Sequence, residues 1–334
     1  MNRLGALLVA GALIGGAVFL TASRHDSSTD GDTTTDTSSS SSPVRVVCAA
    51  EFRAACRALA SDPATSKLAT FTVEAPGVTS AALATGKRPA FDLWLVSLPW
   101  PGLTKLRAAK AGKAEPPLGT PSAALAASEL QLVARTDRLA SFSARCSPKP
   151  FDGACAMGAT GQTYPSTAGG GAVRFGIAPT TDTAGLLTLA AFTGGWFPST
   201  DFDELDLSVN TDFQTQFGVV KADAVTTASP IRELLTIPKF SATFDLNVAP
   251  QLADAADGDR YGTLSFAPPS GPMTAQAVAV PVGSRGTGAL GRIGAKRVTN
   301  ALLATGWKRG SAATPVLTGH EAVLDRLVND WSQR

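Results

Sequence analysis

The chain has 334 residues, of which 17% are charged, and a formal net charge of +2. So even a balance leaves no basic surface for nucleic acid. An apolar share of 44% excludes a chain that is disordered throughout.

Arg3 precedes an apolar run from Leu4 to Leu20, about 17 residues long and so at the short end of what crosses a bilayer as a helix. The basic residue before the run and the acidic, hydroxyl-rich stretch after it predict an N-terminus inside and the remainder outside. A cleaved leader has the same parts, with Thr21-Ala22-Ser23 as its processing site. Residues 1–20 therefore read as a signal anchor or as a signal peptide. No Cys follows the run, which argues against a bacterial lipid anchor. Residues 21–43 are almost all Ser, Thr, Asp and Gly, a tether that cannot bury a core. The folded part is expected outside the cell, held by a single-pass membrane helix, or secreted if the leader is removed.

After Pro43 strand and helix signals alternate. Val44–Cys48 reads as a strand, and Ala50–Ala60 as a helix with Phe52, Cys56 and Leu59 at helical spacing. Phe71–Val73 and Thr79–Thr85 repeat the unit, and Phe91–Val96 with Pro99–Ala111 make a third. Three such units predict an α/β layer with right-handed crossovers. Farther on, strands are expected at Leu130–Ala134, Val173–Ala178, within Phe217–Val225, and at Thr243–Val248, Thr263–Phe266 and Ala275–Val282. Helices are expected at Thr183–Phe192, Ile231–Leu235, Leu290–Trp307 and His320–Trp331.

Four cysteines outside the cell suggest two disulfides, with three connectivities open. Cys146 and Cys155 share a Pro- and Gly-rich stretch where a local bridge closes easily, and Cys48–Cys56 follows by elimination.

This order of elements resembles the type II periplasmic solute-binding proteins, in particular the molybdate-binding-like branch. The resemblance is carried by 44–52 (VRVVCAAEF), by Gly86 through Phe91-Asp92-Leu93-Trp94-Leu95, by 175–186 (FGIAPTTDTAGL) and by the strand 275–282. It implies two α/β lobes, 44–130 plus 279–334 and 131–278, hinged by crossings near Glu129–Arg135 and Gln276–Val282. It also implies a small polar or anionic ligand held between the lobes at helix N-termini. Partners would be an ABC permease or another envelope protein, with the membrane met through residues 4–20. No cofactor, metal or nucleic acid is expected.

Three hydroxyl-bearing loops are candidates for the ligand: Thr79-Ser80; Thr181 and Thr183 within 180–183; and Thr226-Thr227. Ser97, at the end of an apolar strand, is a fourth. One departure stands out. Where oxyanion-binding relatives carry a Ser after the first strand, this chain has Ala49-Ala50-Glu51. A carboxylate there opposes a bound dianion, and Asp182 raises the same objection. The sequence thus leaves a second reading, a sensor or protein-interaction module that keeps the fold without transport.

Catalysis is not expected. Nucleophilic hydrolysis needs a base beside a Ser or Cys, and the histidines are His25 in the tether and His320 at a helix start. Gly283-Ser284-Arg285-Gly286-Thr287-Gly288 lacks the P-loop ending. The acidic group Asp201, Asp203, Glu204 and Asp206 reads as a solvated face.

Overall fold

The computed structural model describes residues 42–135, 158, 160, 163–164, 171–197, 202–236, 239–254, 261–265, 273–310 and 320–333. The expected membrane segment, nearly all of the tether and the Cys146–Cys155 bridge fall outside the described residues. Among the described residues no helix is long and apolar enough to cross a membrane. Ser42–Arg334 forms one contact unit.

The first half of that unit follows the expected strand–helix alternation. β1 (Val44–Ala49) is rich in Val and buried along almost its whole length. β2 (Ala69–Glu74) alternates buried and exposed residues, as a strand with one wet face should. β3 (Leu93–Ser97) is buried at every position, as a strand covered on both faces is. Helix α1 (Arg53–Ser61) follows β1 through a 3-10 turn, Ala50–Phe52, and buries Ala55, Cys56 and Leu59. Asp62 caps the short α2 (Pro63–Ser66), accepting from the Ala64 N–H at 3.1 Å. Helices α3 (Pro76–Ala84) and α4 (Trp100–Lys110) each open with a Pro in the first turn, where its missing N–H costs nothing.

Beyond α4 the strands are β4 (Ala126–Glu129), β5 (Gln131–Arg135), the short pair β6 (Thr163–Tyr164) and β7 (Gly171–Ala172), β8 (Phe175–Ile177), β9 (Val225–Thr226), β10 (Ala242–Asp245), β11 (Tyr261–Ser265) and β12 (Thr274–Pro281). Two five-stranded sheets result, ordered β2-β1-β3-β12-β4 and β11-β5-β10-β8-β9. They share one plan. In the first, β1, β2 and β3 are parallel and β12 runs antiparallel between β3 and β4. In the second, β8, β9 and β10 are parallel and β5 runs antiparallel between β10 and β11.

The chain passes from the first sheet to the second at Leu130, between β4 and β5, within the segment expected to cross. It returns between Ser265 and Thr274. Residues Gln276–Val282, expected to form the second crossing, instead lie in β12 and just after it, paired with β3 and β4. One apolar cluster draws on both sheets; beneath the second, the rings of Phe175, Phe192 and Phe244 lie with centroids 5.5–5.8 Å apart.

Several expected elements are revised. The strand sought within Phe217–Val225 is mostly the helix Thr211–Asp223. It starts where the Asn210 side chain accepts from the Phe213 N–H at 2.8 Å, and it buries Phe213, Phe217 and Val220 at helical spacing. The run Leu290–Trp307 is not one helix: Gly294, at φ +94°, separates Ala289–Ile293 from Ala295–Ala304. The strand sought at Thr243–Val248 stops at Asp245, and the chain turns at Asn247 (φ 53°) into the helix Val248–Asp254. Gly283–Gly286, read as loop, is one helical turn.

Cys48 and Cys56 are joined by a disulfide with a Cα–Cα distance of 6.7 Å. It ties the end of β1 to α1.

Candidate functional site

In an open parallel sheet, ligands bind outside the strand C-termini at the point where strand order reverses. In the first sheet that point lies between β1, which sends the chain to β2 on one side, and β3 on the other. In the second it lies between β8, which leads to β9, and β10. The residues at these four strand ends are Glu51 after β1, Ser97 closing β3, Asp182-Thr183 after β8, and Asp245 closing β10.

Hydrogen bonds bring the two sets together. The Ser97 hydroxyl donates to Glu51 Oε1 at 2.9 Å, and the Thr183 hydroxyl donates to the same oxygen at 2.5 Å. Thr183 Oγ1 in turn accepts from Trp100 Nε1 at 3.0 Å. Indole N–H only donates, so Thr183 Oγ1 accepts from Trp100 and keeps its own hydrogen available for Glu51. Ser97, Trp100 and Thr183 are each 0% exposed. Glu51 Oε2 is sealed from solvent and has no hydrogen-bond partner. One carboxyl of the first sheet thus spans to a hydroxyl at the first position of the helix Thr183–Trp196, over the second sheet.

The electrostatics are unusual for an anion site. Burial pushes the Glu51 carboxyl above its ordinary range, against the hydroxyls of Thr183 and Ser97 and its own backbone amide, and the Asp182 charge pushes it further. Burial also raises Asp182, with the Arg53 charge opposing. Asp245 is 8% exposed. Burial pushes it up to about 7, the Asp182 charge adding to the rise; hydrogen bonds from the Leu246 backbone and the Gln251 side chain oppose it. Three carboxyls that resist ionisation thus lie at the reversal points of the two sheets, the Asp182 charge acting on the other two. Among the described residues no group of three or more His, Cys, Asp or Glu is arranged to hold a metal ion.

Close backbone approach locks this region. The Gly77 N–H, at the start of α3, donates to the Thr181 carbonyl at 2.7 Å. A Cβ on Gly77 would come within 2.7 Å of Thr181 Cα, and one on Gly185 within 2.3 Å of the Pro179 carbonyl oxygen. Both contacts are to backbone, so neither can yield by a side-chain rotation. On the flank, the last helix, Glu321–Ser332, packs on α4, on Thr183–Trp196 and on the helix Glu204–Val209. Its Asp325 pairs with Arg107 at 2.9 Å and Lys110 at 3.2 Å, and Lys110 also reaches Glu204 at 2.9 Å.

Of the hydroxyl residues singled out in the sequence, Ser97 and Thr183 meet at Glu51. Thr181 is exposed and contributes its carbonyl to Gly77. Thr79 and Ser80 turn elsewhere. They lie past the first turn of α3, where Thr79 donates to Glu74 at 2.5 Å and Ser80 accepts from Thr104 at 2.8 Å. Thr226 is exposed on edge strand β9, and the Thr227 hydroxyl bonds locally to Glu233.

Asp245 and Trp100 were not singled out in the sequence. Glu51 was, as a carboxylate opposing a dianion, but only the strand order shows what its position faces. The acidic residues near 203 have structural partners: Asp203 accepts from the backbone of Leu205 and Asp206, Asp206 accepts from the Asp203 N–H, and Glu204 pairs with Lys110. Asp201 lies outside the described residues. His320 precedes the last helix, its ring stacked on Phe202 at 5.5 Å.

No family model matches the chain, and no curated protein matches its sequence. The fold matches solved type II periplasmic solute-binding proteins. Iron-bound HitA from Pseudomonas aeruginosa aligns with a TM-score of 0.53 at 14% identity, over 87% of this chain and 99% of that one. A periplasmic thiamin binding protein aligns with a TM-score of 0.52 at 11% identity, over 86% and 95%. AfuA from Actinobacillus pleuropneumoniae, with fructose-6-phosphate bound, aligns at 0.52 and 12%, over 86% and 97%. Identities this low establish the fold alone. The likeness extends to the solute-binding fold as a whole and does not single out the molybdate-binding-like branch.

Proposed function

We propose that the chain is a non-catalytic binding protein of the periplasmic solute-binding type, working outside the membrane. Lobes 44–130 plus 279–334 and 131–278 close on a small polar ligand. Residues 1–20 serve as anchor or leader and 21–43 as tether, and an ABC permease or another envelope protein is the downstream partner. The observation that carries this reading is that Glu51, at the reversal point of one sheet, bonds both to Ser97 and to Thr183 beyond the reversal point of the other, with the Asp182 charge acting on Glu51 and on Asp245.

The cluster's chemistry narrows the ligand. The proteins with the same fold bind iron, thiamin and a sugar phosphate, so the fold sets where a ligand sits and the lining sets which. Here the lining is acidic and rich in acceptors. It favours a ligand with hydrogen-bond donors or positive charge over molybdate, sulfate or phosphate. Ser97 and Thr183 would be contact residues, with Thr181 at the rim.

The test is thermal unfolding of the chain against amines, amino acids, sugars and oxyanions. A true ligand at about 100 times its Kd adds about 2.7 kcal/mol, on the order of 5 °C or more in Tm for a chain of this size. One observation favours the second reading, a sensor or interaction module without transport: Glu51 already bonds to both halves of the cluster. If no solute raises Tm, that second reading replaces the first.

A further inference from the structure

We infer that Glu51 is a built-in stand-in for a ligand carboxyl: its own carboxyl takes the seat between the Ser97 and Thr183 hydroxyls and so closes the site to free carboxylates and oxyanions. The inference rests on the interlobe site proposed above and concerns what that site refuses.

The geometry argues it in three steps. Two hydroxyls from opposite sheets converge on a single oxygen, Glu51 Oε1, at 2.9 and 2.5 Å. Trp100 Nε1 donates to the Thr183 oxygen, which holds that oxygen in place and leaves its hydrogen for Glu51. Ser97 and Thr183, with Trp100 supporting Thr183, therefore form a fully buried pair of donors to one acceptor oxygen.

The second step concerns what Glu51 does not do. Among the described contacts it makes no salt bridge; beyond the two hydroxyls only its own backbone amide favours its charged form, and its Oε2 is sealed from solvent without a partner. A first-turn acid that only complements a helix dipole stays on the surface and keeps both oxygens solvated. This one is drawn inward and leaves one oxygen unsatisfied, which costs stability unless the seat itself needs an acceptor.

The third step is exclusion. A free carboxylate, sulfate or molybdate entering the seat would have to displace a tethered competitor. It would also have to sit beside Asp182, whose charge already opposes ionisation of Glu51. The tether gives Glu51 the advantage of an intramolecular group over a dissolved one.

The prediction is a gain of binding. Glu51→Ala removes the carboxyl and leaves the donors, so formate or acetate should fill the seat. Thermal unfolding of the full chain is followed in sodium formate, sodium acetate and sodium chloride at equal ionic strength. The expected result is a carboxylate-specific rise of several degrees in Tm for Glu51→Ala. Wild type and Glu51→Gln, whose seats remain filled, should show none. Adding Ser97→Ala and Thr183→Val to Glu51→Ala should abolish the rise. Where Glu51→Ala folds poorly in chloride, the reading is recovery of folded chain on refolding in formate. The inference is overturned if neither Tm nor refolding of Glu51→Ala responds to formate or acetate beyond chloride, or if wild type responds equally. A wild-type chain that binds no solute while Glu51→Ala binds formate would remove the proposed function and leave this inference standing.

Discussion

Replacing Asp245 by Asn should flatten the pH dependence of stability across the neutral range. Asp245 closes β10, is 8% exposed, and has its carboxyl pushed from the ordinary 3.8 up to about 7. A raised acid is protonated in the folded chain and ionised in the unfolded one between those two values. The folded state then holds the extra proton, so stability is fully present below about pH 4, falls as pH rises, and levels off above about 7. Three pH units at about 1.4 kcal/mol each make a loss on the order of 4 kcal/mol. Burial of Glu51 and Asp182 acts in the same direction. Asp92, held down chiefly by its hydrogen bond from Arg45, and Asp62, held down by Thr65, act in the opposite sense. Their contributions are lost only as pH falls below the ordinary Asp range, so the windows do not overlap. Urea unfolding of wild type and Asp245→Asn at steps from pH 4.5 to 8 measures this directly. Wild type should lose stability over that span, and the variant should lose markedly less. Parallel profiles for the two chains, or a wild type that gains stability toward pH 7, would refute the reasoning.

Other substitutions probe the elements that hold the site. Gly77→Ala places a Cβ against Thr181 backbone atoms at 2.7 and 2.9 Å and disturbs the Gly77–Thr181 hydrogen bond; a loss of about 2–3 kcal/mol is expected in urea unfolding. Removing the Cys48–Cys56 bridge, whose cysteines are eight residues apart, should cost about 2–3 kcal/mol. In a chain carrying Cys146→Ala and Cys155→Ala, reduction should reproduce that loss, and adding Cys48→Ala and Cys56→Ala should abolish the response to reductant. Asp325→Asn strips the partner shared by Arg107 and Lys110 from a site only 5% exposed. It should cost about 1–3 kcal/mol, and a double-mutant cycle with Arg107→Ala should recover part of that as coupling.

The first three strand–helix units were legible because their signals are local. Val44–Cys48 and Phe91–Val96 are apolar runs of strand length, Ala50–Ala60 has helical spacing, and Pro76 and Pro99 mark helix starts. The alternation of units implied parallel strands. What could not be read was any fact set by partners distant in sequence. β4 has no apolar run of its own distinction; it is a strand because β12 pairs with it, Ala126 opposite Ala277. The helix Thr211–Asp223 was obscured by Phe217, Val219 and Val220, which look like strand residues until Asn210 is seen to start a helix.

The same division runs through the site. Ser97 and Thr183, which meet at Glu51, could be picked out because each ends a visible strand or opens a visible helix. Thr79 and Ser80 were chosen for the same reason, but α3 starts at Pro76 and carries both beyond its first turn. Glu51 was legible only as a carboxylate opposing a dianion, yet it bonds to both Ser97 and Thr183. Its meaning depends on β1 and β3 being neighbours at a reversal of strand order, and on a helix 132 residues away presenting Thr183 to it.

A co-crystal structure of the wild-type chain with whichever solute gives the largest thermal shift bears most directly on the binding reading. The solute should lie between the two sheets, within hydrogen-bond distance of at least two of Glu51, Ser97, Thr183 and Asp245, with donor or cationic groups facing the carboxyls. A solute bound on the outer surface of either sheet, or an oxyanion seated beside an undisturbed Glu51, would contradict it.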